Sequence, residues 1–303
     1  NNLKKDIKIT PVLVNCKKYD FVKNIFKKHS IEVVYHAAAY KHVPLVEQNP
    51  LQGVSNNVFA TKVLCRLCVE LNIEKFILIS SDKAVRPTNV MGASKRLSEI
   101  IVQSFAHKQK QKNIKTLTKF SIVRFGNVLG SSGSVIPLFR QQISRGGPIT
   151  VTHPEVIRYF MTINEAAQLV LYSSVLSKGG ELFLLDMGEP IKIKDLAEKM
   201  IQLSGLRLKD KNNPGGDIEI IYSGLRPGEK LFEELLINGD VIPTSNKSIF
   251  KVKEIYIPST NILENIDKLE NYINLCDNKN SLKLLSKMIP EWKMSKLTLS
   301  QLN

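Results

Sequence analysis

The sequence predicts an α/β fold, with a doubly wound parallel sheet and a smaller α+β domain beside it. Through the first two thirds of the 303-residue chain, short apolar runs alternate with amphipathic helical stretches. This alternation is typical of a parallel sheet that helices cover on both faces. After about residue 130 the alternation loosens. The looser part of the sequence predicts the second domain.

The elements of the first domain follow from residue type and spacing. A β-branched run predicts a strand at Ile31–Tyr35, and apolar side chains at helical spacing predict a helix from Asn89 to about Gln109. The polar stretch His107–Thr118 predicts a loop. The other predicted elements are a strand at Ile7–Val14, a helix at Tyr19–His29, a helix at Asn57–Leu71, a strand at Lys75–Ser80 and a strand at Lys119–Phe125.

The later elements are shorter. They comprise a buried strand at Glu181–Asp186, a helix at Ile193–Ser204 that Gly205 ends, a surface loop at Lys209–Asp217, a strand at Ile218–Tyr222, the start of a helix at Leu231–Leu236, and forty helical, polar residues at the end. We place the first domain at residues 1–131 and about 160–187. The second domain then takes residues 132–159 and 188–303.

The glycine-rich segment with which many doubly wound sheets begin is not found in this sequence. A dinucleotide-binding sheet opens with a strand, a glycine-rich turn and a helix whose N-terminus holds the pyrophosphate. No glycine occurs before residue 50, and the first residue is Asn rather than Met. We therefore expect that the sheet lacks its first β-α-β unit and that this chain is truncated at its N-terminus.

Composition narrows the class of protein. The net charge of +15 suits nucleic acid, an anionic membrane surface or an anionic small substrate. The lysines are scattered and do not alternate with aromatic residues, so we favour a solvated lysine-rich surface and expect no nucleic-acid partner. Cys65 and Cys68 form a C-x-x-C within an apolar helical pattern, and no second ligand pair accompanies them, so we expect no metal site. No apolar run has the roughly 18 residues of a membrane helix.

The segment Ser80–Arg96 carries the most chemistry. It places an acid and two amines, Asp82, Lys83 and Lys95, around one strand-to-helix junction. Asp82 and Lys83 follow the carboxyl end of a buried strand, which is the usual ligand side of a parallel sheet. Met91 lies one helical turn before Lys95, so both side chains point the same way.

Several further segments, taken together and in order, carry a family resemblance. They are His36–Pro44, Asn57–Thr61, Arg124–Ser131, Gly133–Pro137, Arg158–Met161 and Arg226–Leu231. With Ser80–Arg96 they resemble the extended short-chain dehydrogenase/reductase superfamily, which has a Rossmann-like sheet. More narrowly, they resemble the CapD-like polysaccharide-biosynthesis family of nucleotide-sugar 4,6-dehydratases. The likeness runs from about Ile31 to Leu236 and more weakly to Trp292. Larger members of that family carry membrane helices before the catalytic domain and commonly have Met at the position of the usual Tyr.

The resemblance implies a reaction. NAD, which is tightly held and recycled, oxidises C4 of a UDP-N-acetylhexosamine. The favoured substrate is UDP-N-acetylglucosamine. Water then leaves across C5 and C6, and the hydride returns to C6, giving a 4-keto-6-deoxy sugar nucleotide for surface glycans. The resemblance makes Asp82 the acid and Lys83 the base, with the pKa of Asp82 raised and that of Lys83 lowered. It implies that Ser81 hydrogen-bonds the C4 oxygen of the sugar and that Lys95 binds the nicotinamide ribose. Met91 occupies the Tyr position but carries no ionisable proton.

The resemblance also implies binding residues. Those for the cofactor are Ala37, Ala38, Ala39, Tyr40, Lys41, Asn57, Lys95 and Asn15, the last in place of an adenine-binding Asp. Those for the nucleotide sugar are Asn127, Ser134, Val135, Thr150, Val151, Arg158, Arg226 and Glu229. The two arginines are expected at the pyrophosphate, because a guanidinium fork suits phosphate oxygens.

Alternatives remain open on sequence alone. Within the same class, the chain could be an epimerase or a C5-inverting dehydratase. In another class, it could be a non-catalytic remnant that cannot hold NAD, or a basic nucleic-acid binder. We expect a UDP-sugar substrate, a homo-oligomer, and a location on the cytoplasmic side with a parent protein anchored in the inner membrane.

Overall fold

The computed structural model describes residues 7–111, 118–236, 240–253 and 261–302. The strands are β1 (Val33–His36), β2 (Lys75–Ile79), β3 (Lys119–Arg124), β4 (Asn127–Val128), β5 (Ile149–Val151), β6 (Ile157–Arg158), β7 (Phe160–Met161), β8 (Glu181–Leu185), β9 (Ile191–Lys192), β10 (Leu208–Lys209), β11 (Ile218–Tyr222), β12 (Val241–Pro243) and β13 (Ile249–Val252). The helices are α1 (Tyr19–Lys28), α2 (Val43–Gln48), α3 (Pro50–Val54), α4 (Ala60–Glu70), α5 (Val90–Gln111), α6 (Val135–Ser144), α7 (Ile163–Leu176), α8 (Ile193–Leu203), α9 (Ile262–Asn274), α10 (Asn278–Met288) and α11 (Lys296–Ser300). A π-helical turn (Ser55–Phe59) and a 3₁₀ turn (Asp82–Ala84) complete the set.

The main sheet has six strands in the order β1-β2-β3-β8-β13-β12. The first four strands pair in parallel, and β13 joins β8 and β12 in antiparallel pairs. In the centre, Phe76 is paired with Phe120, and Leu78 with Ile122. This mostly parallel, helix-covered sheet confirms the predicted α/β class.

Helices cover both faces of the main sheet, because successive strand residues point to opposite sides. On one face, Phe76 and Phe120 belong to a core that includes Leu97 and Ile101 of α5. On the other face, Ile77 and the neighbouring strands pack with α7. Parallel strands buried on both sides need such nearly continuous apolar runs.

A second, smaller cluster of elements lies beside the sheet. Strands β10, β11 and β5 form a parallel three-stranded sheet. Helices α6 and α8 pack on it through Phe139 and Ile201, around Ile149 and Ile218. The predicted domain boundaries stay a prediction. Within 188–303, β13 extends the main sheet, and α9 and α10 pack against the core that contains α5.

The residues after α10 contact the start of α5. The Lys293 amide donates to the Pro87 carbonyl at 2.9 Å. The Ser295 hydroxyl donates to the buried carboxylate of Glu47 at 2.7 Å. The last residues of the described chain therefore pack against the segment that carries the chemistry.

Most predicted elements lie within two residues of the observed ones, and three predictions are wrong. Ile7–Val14 forms no strand, because no described strand lies alongside it to pair with its backbone. Leu231–Leu236 is not helical. Its backbone runs beside β6, where the Ile157 amide and the Arg158 guanidinium bind the Leu231 carbonyl. The predicted loop at His107–Thr118 begins as helix, since α5 continues to Gln111, and residues 112–117 lie outside the described residues.

Within the described ranges, no helix is both long enough and apolar enough to cross a membrane.

Candidate functional site

A cavity of about 500 Å³ opens at the carboxyl ends of β1, β2 and β3. This volume is typical of a small-molecule site. Its wall combines the loop after β1, the segment that leads into α5, the N-terminal end of α6, β5, and the segment from Arg226 to Glu233. Both clusters of elements therefore contribute to one site.

Asp82 lies beneath the cavity wall and forms an ion pair with Lys83, which is part of that wall. The Asp82 Oδ1 atom accepts from the Ser81 hydroxyl at 2.7 Å, the Lys83 amide at 2.8 Å and Lys83 Nζ at 3.0 Å. Lys83 Nζ also donates to Asn127 Oδ1 at 3.2 Å. Asp82 is fully buried, and its Oδ2 atom has no hydrogen-bond partner within the described part of the chain. Lys83, Ser81 and Asn127 line the cavity.

The pKa of Lys83 is raised, not lowered as the sequence predicted. Burial acts to lower it, but the negative charges of Asp82 and Glu233 together outweigh burial. The expectation was wrong because it considered burial and one carboxylate, whereas two carboxylates, those of Asp82 and Glu233, act on Lys83. Lys83 is consequently a cation in this arrangement.

Lys95 and Met91 project from the first turns of α5 into the cavity wall. Lys95 Nζ donates to the Ile79 carbonyl at 2.5 Å. Burial lowers the pKa of Lys95 to about 8, and the charge of Glu99 opposes that shift only in part. The pKa values of the two lysines at this site are thus shifted in opposite directions.

The loop after β1 forms the wall next to Lys95. Ala37, Ala39, Tyr40 and Lys41 line the cavity. Their small or solvent-facing side chains leave a broad surface at the ligand side of the sheet, so the residues present fit the nicotinamide and ribose half of a dinucleotide.

Asn57 lies behind that wall and braces it. Its Oδ1 atom accepts from the Tyr40 amide at 2.7 Å, and its Nδ2 atom donates to the Tyr40 carbonyl at 3.1 Å and to the Ser94 hydroxyl at 2.8 Å. It lies in the π-helical turn, a rare geometry that often occurs at functional sites. Asn57 thus connects the loop to α5.

Two other residues expected at the cofactor lie outside the cavity wall. Ala38 follows β1 but is exposed. Asn15 is exposed and lies in a separate depression that includes Leu13 and Tyr19. Its Oδ1 atom accepts from the Lys17 amide at 3.0 Å. The structure therefore does not bring Asn15 together with the cavity residues.

The N-terminal end of α6 points at the opposite side of the cavity. Ser134 and Val135 line it, and the Ser134 hydroxyl is buried without a partner among the described residues. The first amides of a helix suit an anionic group. Gly133 has a φ of +68°, and a Cβ there would lie 2.2 Å from the His42 ring. His42 therefore forms part of this wall, a role that was not predicted for it.

The two arginines expected at the pyrophosphate differ in their surroundings. The Arg158 guanidinium donates to the carbonyls of Ile157 (2.8 Å), Lys230 (2.8 Å) and Leu231 (3.1 Å). Arg158 is thereby committed to holding the chain beside β6. Both arginines line the cavity, where Arg226 is exposed and Arg158 is buried.

Glu229 and Thr150 are held in place by neighbours. Glu229 Oε1 accepts from the Thr152 hydroxyl at 2.9 Å, and Oε2 accepts from the Arg226 amide at 3.1 Å. Thr150 makes two hydrogen bonds with the Gln142 amide group. These residues and Val151 line the cavity.

Sequence reasoning missed Glu233. Its side chain is 6% exposed, lines the cavity, and has Oε1 3.9 Å from Arg158 Nη2. Glu233 was missed because Leu231–Leu236 was wrongly predicted as a helix, and helical spacing gave no reason to place Glu233 on the inward face. No group of three or more His, Cys, Asp or Glu side chains suited to a metal occurs in the ranges that the structure describes.

A mostly parallel α/β sheet with a ligand cavity at the carboxyl ends of its strands is the arrangement of the Rossmann-like class of proteins. Within that class, the family model described as "Polysaccharide biosynthesis protein" matches residues 1–254. The chain belongs to this family.

Known relatives agree with that assignment. The chain is 50% identical over 237 residues to the capsular polysaccharide biosynthesis protein CapD of Staphylococcus aureus, a match that covers 78% of this chain and 37% of CapD. It is 33% identical to a UDP-glucose 4-epimerase of Rickettsia canadensis, over 70% of this chain and 58% of that protein. The X-ray structure of Pen from Bacillus thuringiensis is 37% identical, with a TM-score of 0.66, and the match covers 74% of this chain and 66% of Pen. The matched residues thus span well under half the length of CapD.

Proposed function

We propose that this protein dehydrates a UDP-N-acetylhexosamine, with UDP-N-acetylglucosamine as substrate, to a 4-keto-6-deoxy sugar nucleotide for surface polysaccharide. The observation that carries the proposal is the Lys83–Asp82 ion pair, 3.0 Å long, at a cavity wall shared by a cofactor side and a substrate side. Elimination of water across C5 and C6 needs a group that removes a proton and a group that supplies one.

NAD is the proposed cofactor. The chemistry that it supplies when bound is reversible acceptance of a hydride. Lys95 would hold the ribose, the Ala37–Lys41 loop would lie against it, and Asn57 would fix that loop. Their positions at the carboxyl edge of the sheet support this assignment.

The chain's own residues would act on the sugar. The Ser81 hydroxyl would orient the C4 oxygen. Lys83 would first pass its proton to Asp82, 3.0 Å away, so that the Lys83 amine takes the C5 proton and Asp82 supplies the proton to the C6 oxygen. Met91 packs beside them and moves no proton. On the diphosphate side, the α6 N-terminus with Ser134 and the Arg226 guanidinium offer donors to an anionic group.

The test uses the protein at the full length that its gene encodes. We expect UDP-N-acetylglucosamine to lose one water, which mass spectrometry detects directly. Lys83→Met should lower the rate by about 10²–10⁴-fold, the range for an acid–base group, with UDP affinity little changed. An unchanged substrate mass, in protein that binds UDP, would show that the reaction is another one.

An epimerase is the second candidate, because a 33% identical relative carries that name. It would change the configuration of the sugar without changing its mass, so NMR of the product separates the two. Solvent deuterium and the C5 configuration separate a retaining from an inverting dehydratase. A non-catalytic remnant would bind UDP but not NAD.

The remaining proposals concern the whole protein. We propose a homo-oligomer whose parent chain is anchored in the inner membrane with this part on the cytoplasmic side. These rest on the family likeness, and sizing and membrane fractionation of the full-length protein test them.

A further inference from the structure

We infer that the absence of a side chain at Gly126 gives the Oδ2 atom of Asp82 its access to the cavity. Gly126 thereby determines whether a sugar that is oxidised at C4 also loses water. This role rests on the proposed function and adds a residue that decides its outcome. The unequal surroundings of the two Asp82 oxygens and the contacts of Gly126 support it.

The two carboxylate oxygens of Asp82 have different neighbours. The Oδ1 atom accepts from the Ser81 hydroxyl at 2.7 Å, the Lys83 amide at 2.8 Å and Lys83 Nζ at 3.0 Å. The Oδ2 atom is buried and has no hydrogen-bond partner within the ranges that the structure describes. A buried carboxylate oxygen without a partner is costly, so a ligand hydroxyl at this oxygen would be favourable.

Gly126 is a neighbour of both the cavity and the Oδ2 atom. Gly126 lines the cavity, whereas Asp82 is fully buried behind the wall. The Asp82 amide donates to the Phe125 carbonyl at 3.1 Å, which holds the two segments together. A Cβ atom at residue 126 would lie 3.4 Å from Oδ2, in van der Waals contact, and would cover that oxygen with carbon. The space beside Gly126 is therefore the opening between Oδ2 and the cavity.

The backbone conformation does not require glycine at residue 126. Gly126 is not one of the glycines with a positive φ, so an alanine can adopt its backbone angles. The added Cβ would lie 3.2 Å from the Tyr159 Cβ atom and 3.3 Å from the Met187 Cε atom. The Met187 Cε atom ends a flexible side chain that can shift. Gly126→Ala is therefore expected to fold, with the opening closed.

The step that uses this opening is the loss of water. After Lys83 has passed its proton to Asp82, a half turn of the neutral carboxyl group brings that proton to the Oδ2 position. The Lys83 amine takes the C5 proton, the C5–H electron pair forms the C5–C6 double bond, and the C6–O bond breaks. The Asp82 carboxyl group gives its proton to the departing oxygen, which leaves as water. Lys83 ends as a cation and Asp82 as an anion, so protons and charge balance.

A methyl group at residue 126 should block this proton transfer and spare the earlier steps. In the full-length protein, we expect Gly126→Ala to lose water from UDP-N-acetylglucosamine about 10²–10⁴-fold more slowly than wild type. Oxidation at C4 still acidifies the C5 proton, so substrate recovered from heavy water should carry deuterium at C5. Gly215→Ala is the matched control, because Gly215 is exposed, has open space around it and has no positive φ. It should behave as wild type.

An analogue with fluorine in place of the C6 hydroxyl separates proton delivery from the other steps. Fluoride leaves as an anion and needs no proton, so Gly126→Ala should release it within about tenfold of the wild-type rate. This turnover also shows that the variant is folded. In a double-mutant cycle, adding Gly126→Ala to Asp82→Asn should slow water loss little further, because both changes act on one proton.

The outcomes separate the role of Gly126 from the proposed function. Equal losses of water and fluoride release in Gly126→Ala, without deuterium at C5, would make Gly126 a structural residue only. Water loss at the wild-type rate in Gly126→Ala would also overturn its role and leave the proposed function intact. If the wild-type protein itself removes no water, the proposed function fails, and the role of Gly126 fails with it.

Discussion

At the scale of single residues, the two lysines of the site show how neighbours decide protonation. Lys83 faces two carboxyl groups, and its pKa is raised. Lys95 is buried beside a backbone carbonyl, and its closest acid, Glu99, makes a two-point ion pair with Arg124 instead. The pKa of Lys95 therefore falls to about 8.

The lowered pKa gives a testable pH dependence. Lys95 is protonated below about pH 8 and can donate to a ribose, and it loses that proton as the pH rises through about 8. We expect NAD affinity of the full-length protein, measured by calorimetry, to decrease over that interval. Lys95→Met should bind weakly at every pH, with the slope removed. Lys108→Met, at the exposed end of the same helix, should keep the wild-type profile, and a flat wild-type profile would contradict the assignment.

Local sequence was enough for some of these residues. Asp82, Lys83, Met91 and Lys95 are close in the chain, so strand end and helical spacing alone place them together. Glu233 comes from a segment about 150 residues away. Its approach depends on hydrogen bonds between Arg158 and the backbone of residues 230–231, which no local pattern encodes.

At the scale of elements, the start of α5 is fixed by a buried carboxylate from α2. Glu47 is fully buried, and it accepts from the Val90 amide at 2.5 Å and from the hydroxyls of Ser295 and Thr298 at 2.7 Å each. A carboxylate at a helix N-terminus also interacts favourably with the helix dipole. One side chain thereby holds α2, α5 and α11 together, one turn from Lys95.

Removal of that carboxylate should loosen the start of α5. In Glu47→Ala, three donors lose a buried acceptor, so we expect the free energy of unfolding to fall by about 3 kcal/mol in urea titrations. Glu47→Gln keeps one acceptor oxygen and should lose less. Gln48→Ala, at the exposed neighbouring position, should be close to wild type. If the alanine and glutamine variants lose the same stability, acceptance by the carboxylate is not what holds the junction.

Periodicity predicted elements well where burial follows a single period. The strands β2 and β3 and the helices α1 and α8 are such cases, because each buries one regular face or run. It failed at Ile7–Val14, whose residues have strand propensity but no adjacent described strand. It also failed at Leu231–Leu236, where tertiary hydrogen bonds override helical propensity.

At the scale of the whole molecule, a buried ion network joins distant parts of the chain. Arg124 on β3 pairs with Glu99 through Nε at 2.7 Å and Nη2 at 2.6 Å, and both side chains are fully buried. Arg96 binds the same carboxylate at 3.0 Å and reaches Glu291, after α10, at 2.8 Å. The network thus connects the sheet, α5 and the last described segment.

The network predicts the acid stability of the fold. Burial raises the pKa of Glu99, but Arg124 and the other donors lower it to about 2 in total. Because the folded pKa lies below the ordinary value of 4.5, the contribution is complete above about pH 4.5 and is lost as the pH falls toward about 2. It corresponds to about 3 kcal/mol.

We expect Glu99→Gln to lower the free energy of unfolding at pH 7 by about 3–5 kcal/mol, because Arg124 keeps a buried charge without its partner. The loss of stability between pH 4.5 and 2 should become smaller in this variant than in wild type. Urea unfolding at several pH values measures both effects. Glu264→Gln, on the exposed side of α9, is the matched control, and equal acid sensitivity of all three proteins would contradict the prediction.

The contacts of residues 291–298 with Glu47, Pro87 and Arg96 also constrain how the protein is made. When the ribosome has synthesised α5, Glu47 is already present, but about 180 residues remain before residues 291–298 are made. At bacterial-type rates of about 5–20 residues per second, that interval lasts about 10–40 s. During it, Lys83 and Lys95 belong to a nascent chain in which the start of α5 lacks its contacts with residues 291–298. A product released before residue 291 would therefore contain every residue of the candidate site but lack the contacts that hold the start of α5.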